Sequence, residues 1–296
     1  GMISGSTGIL TETDIVSNGA PNGTVGGLYI HDSNLIFDEI LVQDNSSGHI
    51  SPGMYIYEST VEFNKLLFTG NDVVGNLYDG QAAFAIGNSD VIIKNATIVD
   101  NDLNYLNHDH INDVYGIKLS DGSSLTMINT IMKDNGLDIF TVDDGSIYNV
   151  TIENSNIEDL DIIQENLSSC SSTICGYSFS SNIDGDPLFV DEEGANYTLF
   201  ANSPCVNSGS VNTALVDNDI DGTRSDIGYH SHINYYTGEN GWYIDPLGSD
   251  VSGIGNGEQS SPYKSITSAF NFIDPGSSGD IVNLLPGTYN ERLIWP

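Results

Sequence analysis

The chain has 296 residues, with apolar content in the ordinary globular range, so it can bury a core of its own. Forty-one acidic against seven basic residues give a formal charge of −34, which excludes nucleic acid as a partner because phosphate neutralisation needs clustered Lys and Arg. The same charge disfavours direct binding of an anionic polysaccharide unless a cation bridges the two, and no apolar run is long enough for a membrane-spanning helix.

In chain order, one eleven-residue pattern dominates the first half. It starts weakly at Gly8 (GILTETDIVSN). It is clear at Leu35 (LIFDEILVQDN), Val61 (VEFNKLLFTGN), Val91 (VIIKNATIVDN) and Leu125 (LTMINTIMKDN), and fades at Val150 (VTIENSNIEDL). The starts are 27, 26, 30, 34 and 25 residues apart. Positions 1 and 3 are apolar, alternation breaks at a polar corner, and position 8 is apolar again, as in Ile15, Val42, Phe68, Ile98, Met132 and Ile157. Period-two alternation marks a strand with one buried face, and a break at constant phase marks a corner at constant position. A third short strand precedes each later copy, at Leu28, Met54, Phe84, Ile117 and Ile139. The expected fold is therefore all-β: a right-handed, single-stranded parallel β-helix with three short strands per coil, whose stacked coils share one core. Asn18, Asn45, Asn71, Asn101 and Asn135 close five copies and are expected to stack on one corner, where Asn tolerates left-handed backbone and its amides bond along the axis. An antiparallel sandwich does not predict an Asn at constant phase.

The third strand presents Tyr29 and His31 outward on one coil and Tyr55 and Tyr57 on the next. Ala85 with Gly87, then Lys118 with Ser120, follow on later coils. Exposed flat rings beside a shallow strip suit stacking on sugars, so Tyr29, His31, Tyr55, Tyr57 and Lys118 are the candidate carbohydrate-binding residues; a ladder that only strengthens the sheet is the alternative. The insertion between Asn101 and Tyr115 carries His108, Asp109 and His110, a spacing that suits a transition metal, against the simpler reading of a solvated loop. Asp143 and Asp144 resemble the paired acids of β-helix glycosidases, but the remaining motifs of those enzymes are absent, and no catalytic residue is assigned. Cys170 and Cys175 are close enough for a small-loop disulfide, while Cys205 pairs with either or neither.

Beyond the repeats, Asp186-Pro-Leu-Phe, Tyr197-Thr-Leu, Ser203-Pro-Cys-Val-Asn-Ser-Gly209, Asp221-Gly-Thr-Arg224 and Asp226-Ile-Gly228 follow in order. With the rungs, these segments resemble the pectin-lyase-like superfamily of parallel β-helices, in its secreted bacterial form. Asn207 stands where that pattern has Asp, and Tyr229-His230 where it continues differently. The resemblance implies the fold and an extracellular or cell-surface location. It leaves function open, because the same fold carries lyases, hydrolases, adhesins and binding surfaces. Asp217, Asp219 and Asp221 fit the start of a calcium loop, although its usual twelfth-position Glu is replaced by Gly228, so Ca2+ is the expected cofactor.

Residues 1–235 are read as the β-helix with its closing segment. Residues 236–296 are read as a separate segment resembling the opening cap of another β-helix. In it Ser265 N-caps a short amphipathic capping helix near the C-terminus, and Ile281 to Leu285 form a strand. This segment is expected either to begin a following repeat or to cover the first coil near Ile9, Leu10 and Ile15. Covering a neighbour's coil would give head-to-tail or swapped self-association. The expected role is an extracellular module that binds a polysaccharide or other glycan. A polysaccharide lyase or hydrolase, and a structural spacer or adhesin repeat, are the alternatives.

Overall fold

A computed structural model describes residues 1–49, 51–73, 81–101, 114–135, 137–142, 146–168, 176–200, 202–212, 216, 224–232, 241–250, 257, 262–268 and 281–291. By contacts the chain falls into two units. One comprises Gly1–Gly185, Asn207–Asp217 and Arg224–His230, and the other Asp186–Val206, Asn218–Thr223 and Ser231–Pro296.

The first unit is a parallel β-helix of about five turns. Its coils run β1 (Met2–Ser4), β2 (Thr7–Val16) and β3 (Gly19–Ala20), then β4 (Leu28–His31), β5 (Asn34–Gln43) and β6 (Ser46–Ser47). The third coil holds β7 (Met54–Tyr57), β8 (Thr60–Phe63), β9 (Leu66–Thr69) and β10 (Asp72–Val73). Next come β11 (Gln81–Gly87) with β12 (Asp90–Val99), β13 (Val114–Ser120) with β14 (Ser124–Lys133), and β15 (Leu137–Thr141) with β16 (Asn149–Glu153) and β17 (Asn156–Ile157). Strands β1, β4, β7, β11, β13 and β15 stack in parallel as one face; the bent strands from β2 to β16 stack as a second, extended by β18 (Gly176–Ser180); β3, β6 and β10 form a narrow third. The apolar alternation fills the interior with Phe37, Phe63, Phe68, Phe84, Ile93, Met127 and Ile152, each fully buried.

Three corners repeat where polar residues, mostly Asn and Asp but also Glu, hold left-handed backbone. Glu12, Glu39, Asn95 and Asn129 bend the long strands with φ between 46° and 69°. The predicted Asn corner is present: Asn18 Nδ2 donates to Asn45 Oδ1 (2.9 Å), Asn45 to Asn71 (2.9 Å), Asn71 to Asn101 (3.0 Å) and Asn101 to Asn135 (2.9 Å). A second ladder, unread in the sequence, lies at the corner between the first two faces. The backbone N–H of Ser6, Ser33, Ser59 and Ser89 each donates to the hydroxyl of the serine one coil on, ending at Ser123, at 3.0–3.3 Å.

One helix, α1 (Leu160–Ser168), interrupts the repeat after Asp159 and buries Ile163 and Leu167. No helix among the described residues is long and apolar enough to cross a membrane.

In the second unit, β19 (Phe189–Asp191) pairs antiparallel with β20 (Asn196–Leu199). Strands β21 (Gly241–Ile244) and β22 (Ile281–Leu284) pair in parallel over Ile244, Tyr263 and Ile266. Residues 266–268 are helical, and Ser268 N–H donates to Ser265 Oγ (3.0 Å), the cap expected from the sequence.

Candidate functional site

The face built from β4, β7, β11, β13 and β15 carries the aromatic side chains in register. Tyr29 stands opposite Tyr55, then Ala85, Lys118 and Phe140; beside that column His31 stands opposite Tyr57, then Gly87 and Ser120. Period-two geometry dictates this, since the residues between them are the buried Leu28, Ile30, Met54 and Ile56. The Tyr29 and Tyr55 rings stack with centroids 5.3 Å apart and planes 26° apart, and His31 and Tyr57 stack at 5.9 Å and 7°. Tyr29 to His31 and Tyr55 to Tyr57 are each 6.0 Å, so the four rings form one half-buried cluster.

Polar groups edge this cluster. His31 Nε2 lies 3.2 Å from Glu58 Oε2. Burial, reinforced by Tyr29, Asp121 and Tyr57, pushes the Tyr55 phenol up to about 12. Glu58, ahead of burial and Asp121, holds Tyr57 above its ordinary range. Both phenols are therefore neutral donors at physiological pH. Burial lowers the Lys118 pKa, and Asp121 offsets this in part.

Lys118 joins the same column as Tyr29 and Tyr55, but Ala85 separates it from Tyr55. Ala85 is covered at 5% exposure. A Cβ on Gly87 would sit 3.0 Å from both Tyr57 Cδ2 and Ser120 Oγ, so the missing side chain is what lets Tyr57 lean over this coil. Further along, Tyr115 stacks on Phe140 at 4.1 Å, a second aromatic pair that the sequence reading missed although Phe140 follows the same column.

The closing segment has a structural use. Asn207 N–H donates to Asp226 Oδ1 (2.6 Å), Gly209 N–H to Ser225 O (2.8 Å), and Arg224 Nη2 to Ser208 O (3.0 Å). Residues 225–229 then lie across the coils. Asn129 Nδ2 donates to Ser225 Oγ (3.1 Å), Tyr229 N–H to Thr97 Oγ1 (3.0 Å), and Tyr229 OH to Glu39 Oε1 (3.0 Å). Lys65 Nζ lies 5.5 Å from the Tyr229 ring centre, within cation–π range. Burial lowers the His230 pKa, Lys65 lowers it further, and Glu39 opposes.

His108, Asp109, His110, Asp143, Asp144, Cys170, Cys175, Asp217, Asp219 and Asp221 lie outside the described residues. Among the described residues no three His, Cys, Asp or Glu side chains group as metal ligands. Cys205 is fully buried, its N–H donating to Ser203 Oγ (3.1 Å). No family model, curated protein or solved structure matches this chain.

Proposed function

We propose that this β-helix is a carbohydrate-binding module of pectin-lyase-like type, acting outside the cell or at its surface. The observation that carries the reading is the cluster of Tyr29, His31, Tyr55 and Tyr57, four rings in mutual contact on one open face of a parallel sheet, three of the contacts stacked and that between Tyr55 and Tyr57 tilted. Aromatic rings bury the apolar face of a sugar at little entropic cost, and neighbouring phenols and carboxylates take its hydroxyls. Sheet pairing fixes the backbone beneath them, so the rings need little ordering on binding. Lys118 lies farther along the same face, within electrostatic reach of Asp121. Ca2+ enters only through Asp217, Asp219 and Asp221.

A glycan array followed by calorimetric titration tests the reading, each run with calcium and with chelator. Tyr55→Ala combined with Tyr57→Ala is expected to weaken the best ligand by about 1 kcal/mol per ring. Unchanged affinity in the double variant, or an array with no ligand at all, counts against it.

A further inference from the structure

Beside the aromatic face, along the serine corner, runs an open polar groove of about 730 Å³. Its floor is the serine ladder, and that floor is already satisfied. The hydroxyls of Ser33, Ser59 and Ser89 donate to the carbonyls of His31, Tyr57 and Gly87 and accept amides from the preceding coil. Each of these hydroxyls has spent its only proton, so a bound molecule that accepts hydrogen bonds must find its donors elsewhere in the groove. One wall is a column of left-handed corner residues, Asp32, Glu58 and Asn88, with φ of 46°, 49° and 45°. The other is the outward column Thr7, Asn34, Thr60 and Asp90 of the second face. All seven side chains of these walls are exposed. Three successive coils thus repeat a pair of polar groups, Asp32 with Asn34, Glu58 with Thr60 and Asn88 with Asp90, at the strand spacing of about 4.8 Å, close to the rise of one sugar in an extended chain. His31 precedes Asp32 and Tyr57 precedes Glu58, so the groove's rim is the edge of the ring cluster.

We infer that the ligand is a linear, uncharged glycan lying along the stack axis in this groove, with the rings at its flank. The inference rests on the carbohydrate-binding reading and adds the site, direction and class. Charge selects the class. Asp32, Glu58 and Asp90 accept hydrogen bonds and donate none, which suits sugar hydroxyls. A uronate or sulfated sugar would bring like charge against these three carboxylates, on a chain of formal charge −34. The polar walls and saturated floor offer an apolar ligand nothing. From Gly5 to Gly122 the groove spans five coils, roughly 20 Å at that spacing, enough for about four sugars.

The test is titration calorimetry with three groups of hexasaccharides: neutral β-1,4-linked (glucose, xylose and mannose), oligogalacturonate and oligoglucosamine. The proteins are the intact chain, Tyr55→Ala/Tyr57→Ala, and Asp32→Ala/Asp90→Ala, whose exposed side chains leave the core untouched. Thermal melts confirm folding. A neutral hexasaccharide is expected to bind, with affinity unchanged at high salt, and Asp32→Ala/Asp90→Ala to lower it about tenfold or more. Preference for oligogalacturonate or oligoglucosamine overturns the uncharged assignment. Loss of binding in the Tyr variant with none in the Asp variant overturns the groove while leaving the aromatic face standing. If no hexasaccharide binds, the carbohydrate reading fails with it.

Discussion

At the scale of single residues, the molecule turns on amides and hydroxyls used as mortar. Asn71 is the best placed: its Oδ1 accepts from the Asn45 backbone and side chain, and its two Nδ2 protons are shared among Val42 O, Thr69 O and Asn101 Oδ1, all buried. Asn71→Ala leaves several of these groups unpaired, and a loss of about 3 kcal/mol or more is expected in denaturant unfolding. Asn18 ends the ladder as an exposed residue, so Asn18→Ala should cost about 1 kcal/mol or less. Equal losses at both positions would mean that burial does not set the ladder's value. Gln81 runs the other way: it is 3% exposed, and neither side-chain polar atom has a hydrogen-bond partner among the described residues. Gln81→Leu should raise stability by about 1 kcal/mol, read as a higher denaturation midpoint. The Asn ladder was legible because it recurs at constant phase. The serine ladder was equally periodic, since Ser33, Ser59, Ser89 and Ser123 each sit two residues before the first apolar position of a repeat. Serine is common enough in loops that the pattern passed as ordinary turn chemistry.

At the scale of elements, what recurs locally could be read and what depends on distant contact could not. Strand faces, corners and the outward Tyr and His columns follow from period and phase. Helix α1 carried a readable signal in Leu160, Ile163 and Leu167, spaced for one helical face, but a repeat fading into it masked the change of period. The groove needed two columns from different faces, and residues 225–229 lie against coils up to 190 positions away. That segment gives a pH test. His230 titrates below its ordinary 6.5 because of burial and then Lys65. Above 6.5 folded and unfolded imidazoles are both neutral. As pH falls below 6.5 the unfolded chain takes up the proton first, so stability drops until the folded value is reached. His230→Gln is expected to flatten the melting temperature over this window, and an unchanged slope would exclude His230 as its source. Tyr229→Phe should cost about 1 kcal/mol by removing the donor to Glu39.

At the scale of the whole molecule, a stack of coils grows in one dimension and leaves a strand edge at its end. Among the described residues β2 is last in its sheet, with Leu10 and Ile15 only partly buried and Ile9 pointing outward at 68% exposure. An outward-facing Ile on a strand with one partner strand among the described residues favours association between copies. Ile9→Lys is expected to lower light scattering at high protein concentration without moving the melting temperature; undiminished scattering would clear this edge. A stack also has a weak direction. Pulling along its axis opposes coil to coil, resisted by interstrand hydrogen bonds, side-chain ladders and stacked core residues that can yield one rung after another. Residues 225–229 change that, because they are anchored at Asn129, Thr97 and Glu39, on three different coils. They act as a tie bar: tension between these coils is carried by covalent backbone until an anchor gives way. The force needed to open this stretch is therefore set by side-chain anchors on one corner, and the β-helix gains a stiff middle from a segment that belongs to none of its repeats.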